Sequence, residues 1–445
     1  MAAFDLISNM NDVALRPRLL RTLIRDHLPD DKHPFGSPSQ LSKVVSMVKT
    51  HNLLSESFAE LTDQVLISNW KSAVDSWVKR LMLLISNDMP DKCWAGICLL
   101  GVTCQECSSD RFLASYSDWL QKLLSHIQVS ASSHFVKVAS CASMSDLLIR
   151  LGGFPNVKKD GTAHAGKVIQ PVLKLLNDDN SEAVWDGAVH LLCTAITFFP
   201  FSVGRHYESA EAAIASKFLS DTCSFNMLKK LAHCLALLPK SRGDVDSWSL
   251  MMQKILIWIN NHLNDAFKGF EGETKRFDEA IRLLLPPGKD LPPPFGGLAV
   301  SGVRSQSMSK RSEHLLTSSV SALFLCCSTM LTSSYPIQVT VHVRSLLTLV
   351  ERVLMVDASL PPSLPPFVTA TEQELLSSEL PILHLYSLEL LTAIIKGVRS
   401  QLLPHAASIV RLISVYFKKC TLPELRTKMY SITKILLISM GVGTS

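Results

Sequence analysis

The sequence predicts an all-α fold in which helices stack as degenerate repeats. From about residue 54, apolar residues recur at helical spacing in segment after segment, and strand-like alternation is almost absent. The ends of these segments are regularly spaced: "LLISND" ends at Asp88, "LLND" at Asp178, "KFLSD" at Asp221 and "HLND" at Asp265, with an intervening end expected near residue 130. Intervals of about 43 to 47 residues fit one helix pair and its linker, so we predict an α-solenoid of HEAT/armadillo-like repeats.

The composition is that of a folded chain. It has 445 residues, of which 47% are hydrophobic and 19% charged, so it can bury a large core. The net charge of +5 comes from 44 basic and 39 acidic residues, a weaker bias than a dedicated nucleic-acid-binding protein carries. No apolar run reaches about 18 residues without a polar interruption, and the N-terminus lacks a basic region before an apolar core. We therefore predict neither a membrane span nor a secretory signal.

Proline and glycine suggest the domain boundaries. Residues 1–39 are a basic amphipathic segment followed by a proline-containing loop, and residues 40–285 form the repeat block. Residues 286–312 are rich in Pro, Gly and Ser and indicate a loop or linker, because proline fixes φ and removes a backbone donor. Residues 313–445 return to helical patterns, predicted over 315–331, 338–355, 375–397 and 402–417 and again from Pro423, with a proline-rich break at 360–367.

The clearest repeat unit is "VLKLLNDDNSEAVWDGAVHLL", residues 172–192. One helix ends before the Asn-Asp-Asp-Asn turn, and Ser181 is predicted to cap the next helix. A second copy, residues 81–100, follows the same plan, with small residues where two helices are expected to approach closely. The corresponding residues are Trp94 and Trp185, Gly96 and Gly187, and the leucine pairs 99–100 and 191–192.

Leu120, Leu123 and Leu124 form an LxxLL sequence within "SYSDWLQKLLSHIQ". Such a motif can dock as a short amphipathic helix into a hydrophobic groove of a partner. The apolar stripe, however, extends a full turn beyond the motif on both sides, which favours a helix buried in its own fold. Partner binding by these three leucines is kept as the second interpretation.

Cys104 and Cys107 have CxxC spacing, and Cys93 and Cys98 are close in sequence. This spacing occurs in zinc and redox sites. Cys93, Cys104 and Cys107 lie on one continuous helical face, and no second ligand pair follows at a suitable distance. We therefore predict buried, reduced thiols without a metal, as expected for a cytosolic or nuclear protein.

The basic residues near the N-terminus are interleaved with apolar ones in "LRPRLLRTLIR", which predicts a short amphipathic helix with a cationic side. This side is a candidate contact for RNA or an acidic partner, although a solvated face is the more ordinary interpretation. The residues are Arg16, Arg18, Arg21 and Arg25.

The sequence carries none of the common catalytic motifs. The sequence has no P-loop, no GxGxxG after a strand, no GxSxG elbow and no HExxH. His190, His206 and His233 have no acidic or thiol partner at a recognisable motif spacing. We therefore predict that the protein is not an enzyme and has no cofactor.

Two blocks resemble the Rix-type family of pre-rRNA-processing proteins. The first is "WAGICLLGVTCQECSSDRFLASYSDWLQKLL", residues 94–124, with the matching features Gly96-Ile97-Cys98-Leu99-Leu100, Phe112 and Trp119-Leu120. The second is "LALLPKSRGDVDSWSLMMQKIL", residues 235–256, with Leu238-Pro239 and Ser247-Trp248. These are packing motifs and carry no active site.

The resemblance implies a non-catalytic scaffold subunit of the Rix complex, which acts in maturation of the large ribosomal subunit precursor and in pre-rRNA spacer processing. It also implies a nuclear location, in the nucleolus and nucleoplasm, and self-association as a homodimer. The implied partners are a WD40 propeller subunit, a second helical-repeat subunit, the AAA ATPase that remodels the particle, and the large-subunit pre-ribosome itself.

Without the resemblance, the residues support only a helical-repeat interaction protein. Two alternatives to the ribosomal scaffold stay open. One is a nuclear adaptor for transcription or transport, which would bind peptides in an apolar groove. The other is a solenoid that binds RNA directly, whose affinity would fall steeply with salt.

Overall fold

The computed structural model describes residues 2–29, 36–56, 63–220, 222–267, 284, 290–297, 314–356 and 370–440. Every regular element in these ranges is a helix, which confirms the predicted all-α class. The chain divides into two compact units, Met1–Val203 (unit 1) and Gly204–Ser445 (unit 2). This division falls inside the predicted repeat block 40–285. The proline-rich break at 360–367 and most of 286–312 lie outside the described residues, so the sequence-based boundaries stay predictions.

The described part of unit 1 contains eight α-helices. They are α1 (Ala2–His27), α2 (Pro38–Thr50), α3 (Gln64–Ile85), α4 (Pro90–Glu106), α5 (Ser109–Gln128), α6 (His134–Gly152), α7 (Lys158–Asp178) and α8 (Glu182–Phe198). The starts of α3 and α5 are capped by side chains: Asp63 accepts hydrogen bonds from Val65 N and Leu66 N, and Ser108 accepts one from Arg111 N. These bonds satisfy amides that have no partner within the helix.

Alternate helices of unit 1 contact each other. Helix α4 packs against α6 and α6 against α8, while α5 packs against α7 and α1 against α3. Helices that follow each other in sequence, such as α3 and α4 or α7 and α8, also pair. The helices α4, α6 and α8 therefore form one row, and α5 and α7 lie in a second row behind it.

Side-chain hydrogen bonds between these helices join residues about one predicted repeat apart. The Ser143 hydroxyl donates to the Ile97 carbonyl at 2.9 Å, across a separation of 46 residues. Lys137 Nζ donates to Asp179 Oδ2 at 2.9 Å, across 42 residues. Arg150 donates to the carbonyl of Cys104, 46 residues away, at the C-terminal end of α4. Carbonyls in the last turn of a helix have no amide partner within it, so the arginine joins α6 to α4 and caps the end of α4.

The two glycines that correspond between the repeat copies mark close approaches, as predicted. A Cβ atom at Gly96 would lie 2.8 Å from Leu84 Cβ on α3, and one at Gly187 would lie 3.3 Å from Cys141 Cβ on α6. The tryptophans are less alike, since Trp185 is buried and Trp94 is half-exposed.

The predicted cap at Ser181 is wrong in its detail. Ser181 occupies the N-cap position of α8, but its side chain makes no cap hydrogen bond. The neighbouring Asp179 is the residue that orders this turn: its Oδ1 accepts a bond from Ser181 N at 3.0 Å, and its carbonyl accepts one from Trp185 Nε1 at 2.7 Å. At the start of α8 the amides of Val184 and Trp185 donate to the backbone carbonyl of Ser181, at 3.0 and 3.1 Å, and not to its hydroxyl.

The described part of unit 2 also contains eight α-helices. They are α9 (Tyr207–Leu219), α10 (Phe225–Leu237), α11 (Val245–Ala266), α12 (His314–Thr332), α13 (Val343–Met355), α14 (Ala370–Val398), α15 (Ala406–Lys419) and α16 (Pro423–Met440). Helix α10 packs against α12, α12 against α14, and α14 against α16. The 3-10 turn Phe295–Gly297 lies against α9.

Two predicted helices of unit 2 begin later than the sequence suggested. Helix α13 starts at Val343 and not at Gln338, because the β-branched residues Val339, Thr340 and Val341 disfavour a helical backbone. The segment Arg399–His405 forms a 3-10 helix before α15 starts at Ala406. Pro404 lies within it and cannot supply the amide that an α-helix would use there.

Helix α14 contains the one described segment, Gln373–Val398, that is long and apolar enough to cross a membrane by length and composition. The sequence predicted no such span. Half of the tested window is buried within unit 2, where α14 contacts α12, α13 and α16. A core helix passes the same test of length and composition, and these contacts are those of a core helix.

We expect Leu123→Ala to lower the free energy of unfolding by about 2 to 5 kcal/mol, because Leu123 is fully buried on α5 and its truncation leaves a cavity. Denaturant unfolding of the full chain, followed by circular dichroism, measures the change. Gln121→Ala, at an exposed position of the same helix, is the matched control and should change stability little. A normally stable Leu123→Ala protein would contradict the burial of this helix.

Candidate interaction surface

The LxxLL leucines lie mostly inside the fold. Leu120 and Leu123 are 1% and 0% exposed, and Leu124 is half-exposed at the edge of the buried stripe of α5. An LxxLL helix docks through its leucines. In this fold two of the three leucines are not accessible to a partner. Partner binding by the motif therefore stays a prediction, and it requires α5 to separate from its neighbours.

The N-terminal arginines have two kinds of surroundings: two contact helix α3, and two lie on the surface. The Arg16 guanidinium lies 5.5 Å from the centre of the Trp70 ring, and Arg21 donates a hydrogen bond to the Asn69 carbonyl at 3.2 Å, so both attach α1 to α3. Arg25 pairs with its neighbour Asp26 at 2.6 Å on the surface. Arg18 is exposed. The helix is also longer than the short one predicted, and partner contact by its arginines stays a prediction.

The CxxC cysteines are buried, as the helical pattern predicted. Cys93, Cys104 and Cys107 are buried, and Cys98 is half-exposed. Burial raises the pKa of Cys93 and of Cys98 to about 11, which disfavours the thiolate that a nucleophile or metal ligand needs. Within the residues that the structure describes, no group of three or more His, Cys, Asp or Glu side chains could hold a metal ion.

The most distinctive surface of unit 1 is the open side of the row formed by α4, α6 and α8, which we call the α4–α6–α8 face. The other side of this row is covered by its neighbours α3, α5 and α7. The open side carries small, apolar and a few polar residues at helical spacing. They are Trp94, Cys98, Val102 and Gln105 on α4; Phe135, Val138, Ala142, Asp146 and Ile149 on α6; and Ala183, Gly187, His190, Cys193 and Thr197 on α8.

The middle helix of this face exposes one large apolar side chain near each end. Phe135 is 48% exposed and Ile149 is 42% exposed, and the positions between them at helical spacing are Val138, Ala142 and Asp146. Exposed apolar side chains bordered by polar groups are typical of protein contact sites. The α4–α6–α8 face is therefore the candidate interaction surface.

Asp146 is the acidic group on the open side of α6, and it lies in a network that crosses four helices. Gln105 on α4 donates a hydrogen bond to the Asp146 carboxylate, and the Gln105 amide oxygen accepts one from Lys49 Nζ on α2 at 3.0 Å. His190 on α8 acts on the same carboxylate electrostatically. The network brings polar groups from successive helices to one point of the face.

Burial raises the pKa of the Asp146 carboxyl above its ordinary value, although the Gln105 hydrogen bond and the charges of His190 and Lys49 act in the opposite direction. The hydrogen bond and the neighbouring charges therefore do not fully offset the cost of burying the ionised carboxylate. Within the described residues, no Lys or Arg forms an ion pair with Asp146. Titratable groups with such shifts are concentrated at functional sites, where burial and neighbouring charges are arranged to tune them.

Sequence reasoning missed this network. It judged His190 to have no acidic partner at a motif spacing, and the structure places Asp146 beside it. The two residues lie on alternate helices, one predicted repeat apart. Stacking the repeat copies in register, rather than searching for short motifs, would have brought Gln105, Asp146 and His190 together.

The fold and this surface define an all-helical protein whose clearest feature is an uncovered face on a row of packed helices. Residues 18–225 match the RIX1 family, described as rRNA processing/ribosome biogenesis. This match supports the resemblance found in the packing motifs around residues 94–124.

A relative in mouse extends the similarity beyond the family region. The protein named Proline-, glutamic acid- and leucine-rich protein 1 from Mus musculus is 26% identical over 329 residues. The alignment covers 72% of this chain and 26% of the mouse protein. The chain thus corresponds to about a quarter of the length of that relative.

We expect thiol reagents to label Cys98 and Cys193 before the other nine cysteines, because these two are half-exposed and the rest are buried. The rate at Cys98 should rise with pH toward about 11, since its pKa is raised and the thiolate is the reactive form. A short iodoacetamide pulse followed by peptide mass spectrometry measures the order. Early labelling of Cys104 or Cys107 in the folded protein would contradict the assigned burial.

We expect Asp146→Asn to gain stability relative to the wild type as the pH rises from about 4 to about 7. The pKa of Asp146 is raised by folding, so the folded state binds more protons than the unfolded state, and stability is lost as pH rises through the folded pKa. The asparagine cannot ionise and avoids this loss. Melting temperatures across the pH range give the measurement, with Asp118→Asn on the exposed side of α5 as control. A difference independent of pH would refute the assignment.

Proposed function

We propose that this protein is a non-catalytic scaffold that acts in maturation of the large ribosomal subunit precursor, including processing of its rRNA spacer. The observation that carries the proposal is the match of residues 18–225 to a family described as rRNA processing/ribosome biogenesis. The matched range contains α4, α6 and α8. The family region and the candidate interaction surface therefore coincide.

The proposal includes the architecture, an α-solenoid of degenerate HEAT/armadillo-like repeats. Two features support it: alternate helices pack in rows within unit 1 and again among α10, α12, α14 and α16 of unit 2, and interhelical hydrogen bonds in unit 1 join residues 42 to 46 positions apart. An array of this kind offers a long, stiff surface that several proteins can use at once. Its mechanism is positioning.

On the α4–α6–α8 face we propose a partner segment that combines apolar side chains with a lysine or arginine. The apolar side chains would cover Phe135 and Ile149, and the cation would lie against Asp146. A cation there lowers the pKa of the carboxyl and removes the unfavourable part of its burial. Charge matching of this kind fixes the register of the partner, while the apolar contacts supply most of the affinity.

The partners and location in this proposal follow from the family resemblance. They are a WD40 propeller subunit, a second helical-repeat subunit, the AAA ATPase that remodels the particle, the pre-ribosome and a second copy of the chain, in the nucleolus and nucleoplasm.

The test replaces the endogenous protein with Ile149→Glu, which puts a charge on the apolar part of the face. We expect a folded protein that no longer co-sediments with large-subunit precursors, and spacer-containing precursor rRNA that accumulates several-fold by northern blot. A glutamate at an exposed position should change stability by about 0.5 kcal/mol or less, so circular dichroism should match that of the wild type.

The matched control is Leu83→Glu, since Leu83 is an aliphatic residue on α3 that is 56% exposed and lies away from the face. It should behave as wild type. If Ile149→Glu also behaves as wild type, the face is not the working surface. If removal of the whole protein leaves spacer processing and the precursor population unchanged, the ribosomal scaffold function itself is refuted.

A further inference from the structure

A short proline-rich segment of unit 2 is held in a defined site rather than lying free on the surface. Residues 290–297 read "DLPPPFGG", and only Phe295 among them is buried, at 9% exposed. Its ring stacks on the ring of Trp258 of α11, with centroids 5.1 Å apart and planes 21° apart. Leu291, Pro293 and Pro294 remain exposed. The segment thus enters the site through a single aromatic side chain.

The receiving site is built by two helices without help from the segment. Phe218 of α9 meets the Trp258 ring edge to face at 5.6 Å. Glu211 of α9 and Lys254 of α11 form a buried ion pair, with Lys254 Nζ 2.7 and 3.0 Å from the two carboxylate oxygens. These contacts join α9 to α11 directly. The groups that form the aromatic slot and the carboxylate are thus held in place by contacts that do not involve the segment.

The buried carboxylate of Glu211 also bonds to the backbone of the segment. Gly296 N donates a hydrogen bond to Glu211 Oε1 at 3.0 Å. Gly296 has φ +67°, and a Cβ atom there would lie 2.6 Å from Ala215 Cβ. Any other residue would suffer both the left-handed backbone and the clash. The site thus requires an aromatic residue followed by glycine.

The three prolines before Phe295 make the segment resemble a peptide ligand. Consecutive prolines fix φ and hold the chain extended before binding, so less conformational entropy is lost when it is bound. One inserted aromatic ring, one backbone hydrogen bond to a carboxylate and a preorganised proline run are the elements by which domains recognise linear motifs.

We propose that the site formed by Glu211, Ala215, Phe218, Lys254 and Trp258 is a pocket for a linear motif of the form Pro-Pro-Phe-Gly, and that residues 291–297 occupy it as an intramolecular ligand. A partner protein with the same motif displaces this segment and thereby attaches to α9 and α11. The tethered segment is present at high effective concentration, so it keeps motifs of low affinity out. The inference does not depend on the ribosomal function.

The experiment uses a fluorescent peptide of sequence LPPPFGG and the full-length chain. Phe295→Ala vacates the aromatic slot, and we expect this variant to bind the peptide by fluorescence anisotropy about 10- to 100-fold more tightly than the wild type, in which the tethered segment competes. Gly296→Val expels the segment by a different route and should expose the pocket in the same way. Peptides with Ala for Phe, or with Val for the first Gly, should bind none of the three proteins.

Each other outcome overturns the proposal. Folded variants that bind no peptide show that the site is not a pocket for exchange. Equal binding by wild type and variants shows that residues 291–297 do not compete for it. A wild-type dimer that forms at high concentration and is lost in Phe295→Ala shows that the occupant from outside is a second copy of the chain and not a partner.

A measurement on the wild type guards against variants that fail to fold. Hydrogen exchange followed by mass spectrometry should show the amide of Gly296 exchanging much faster than the amides in the middle of α11, because a displaceable ligand opens locally. Protection of Gly296 equal to that of α11 would mean that the segment opens only with the whole unit, which contradicts exchange with a partner.

Discussion

The contact between each helix and the helix two places further along the chain is the constraint on which the rest of the structure depends. In unit 1 it is made from inward leucines, from close approaches such as that at Gly187, and from side chains that reach across to backbone carbonyls. Arg150 makes several of these contacts at once. It donates to the carbonyl of Cys104, its guanidinium lies 4.7 Å from the centre of the Phe112 ring, and it also contacts the Cys107 sulfur. A lysine could offer neither the planar fork nor the stacking.

This constraint explains why the sequence was informative about helices. A helix that packs in a row must bury one apolar stripe and must end where the next helix begins. Both the spacing of its apolar residues and the position of its ends can therefore be recognised in the sequence. The predicted ends at residues 88, 130, 178 and 265 lie within a few residues of the ends of α3, α5, α7 and α11. The stripe of α5 was likewise readable, because its leucines continue beyond the LxxLL motif.

The same constraint explains which features could not be predicted from the sequence. Asp146 and His190 are meaningful only once α6 and α8 are in register, and a degenerate repeat gives that register with an uncertainty of several residues. Phe295 lies in a stretch whose composition indicates a loop, and composition does not reveal which distant helices will hold a loop. The cap predicted at Ser181 is wrong for a more local reason: the Asp179 side chain bonds the Ser181 amide and orders the turn, and the first amides of α8 donate to the Ser181 carbonyl.

Helix α14 has a consequence for the synthesis of the protein. A nascent stretch as long and apolar as Gln373–Val398 is a candidate for recognition by the machinery that inserts proteins into membranes. Two of its partners, α12 and α13, precede it in the chain and leave the ribosome first. They can shelter part of the apolar side of α14 as it emerges, before α15 and α16 are made. The order of helices in unit 2 therefore favours burial of this segment in its own protein over capture by a membrane.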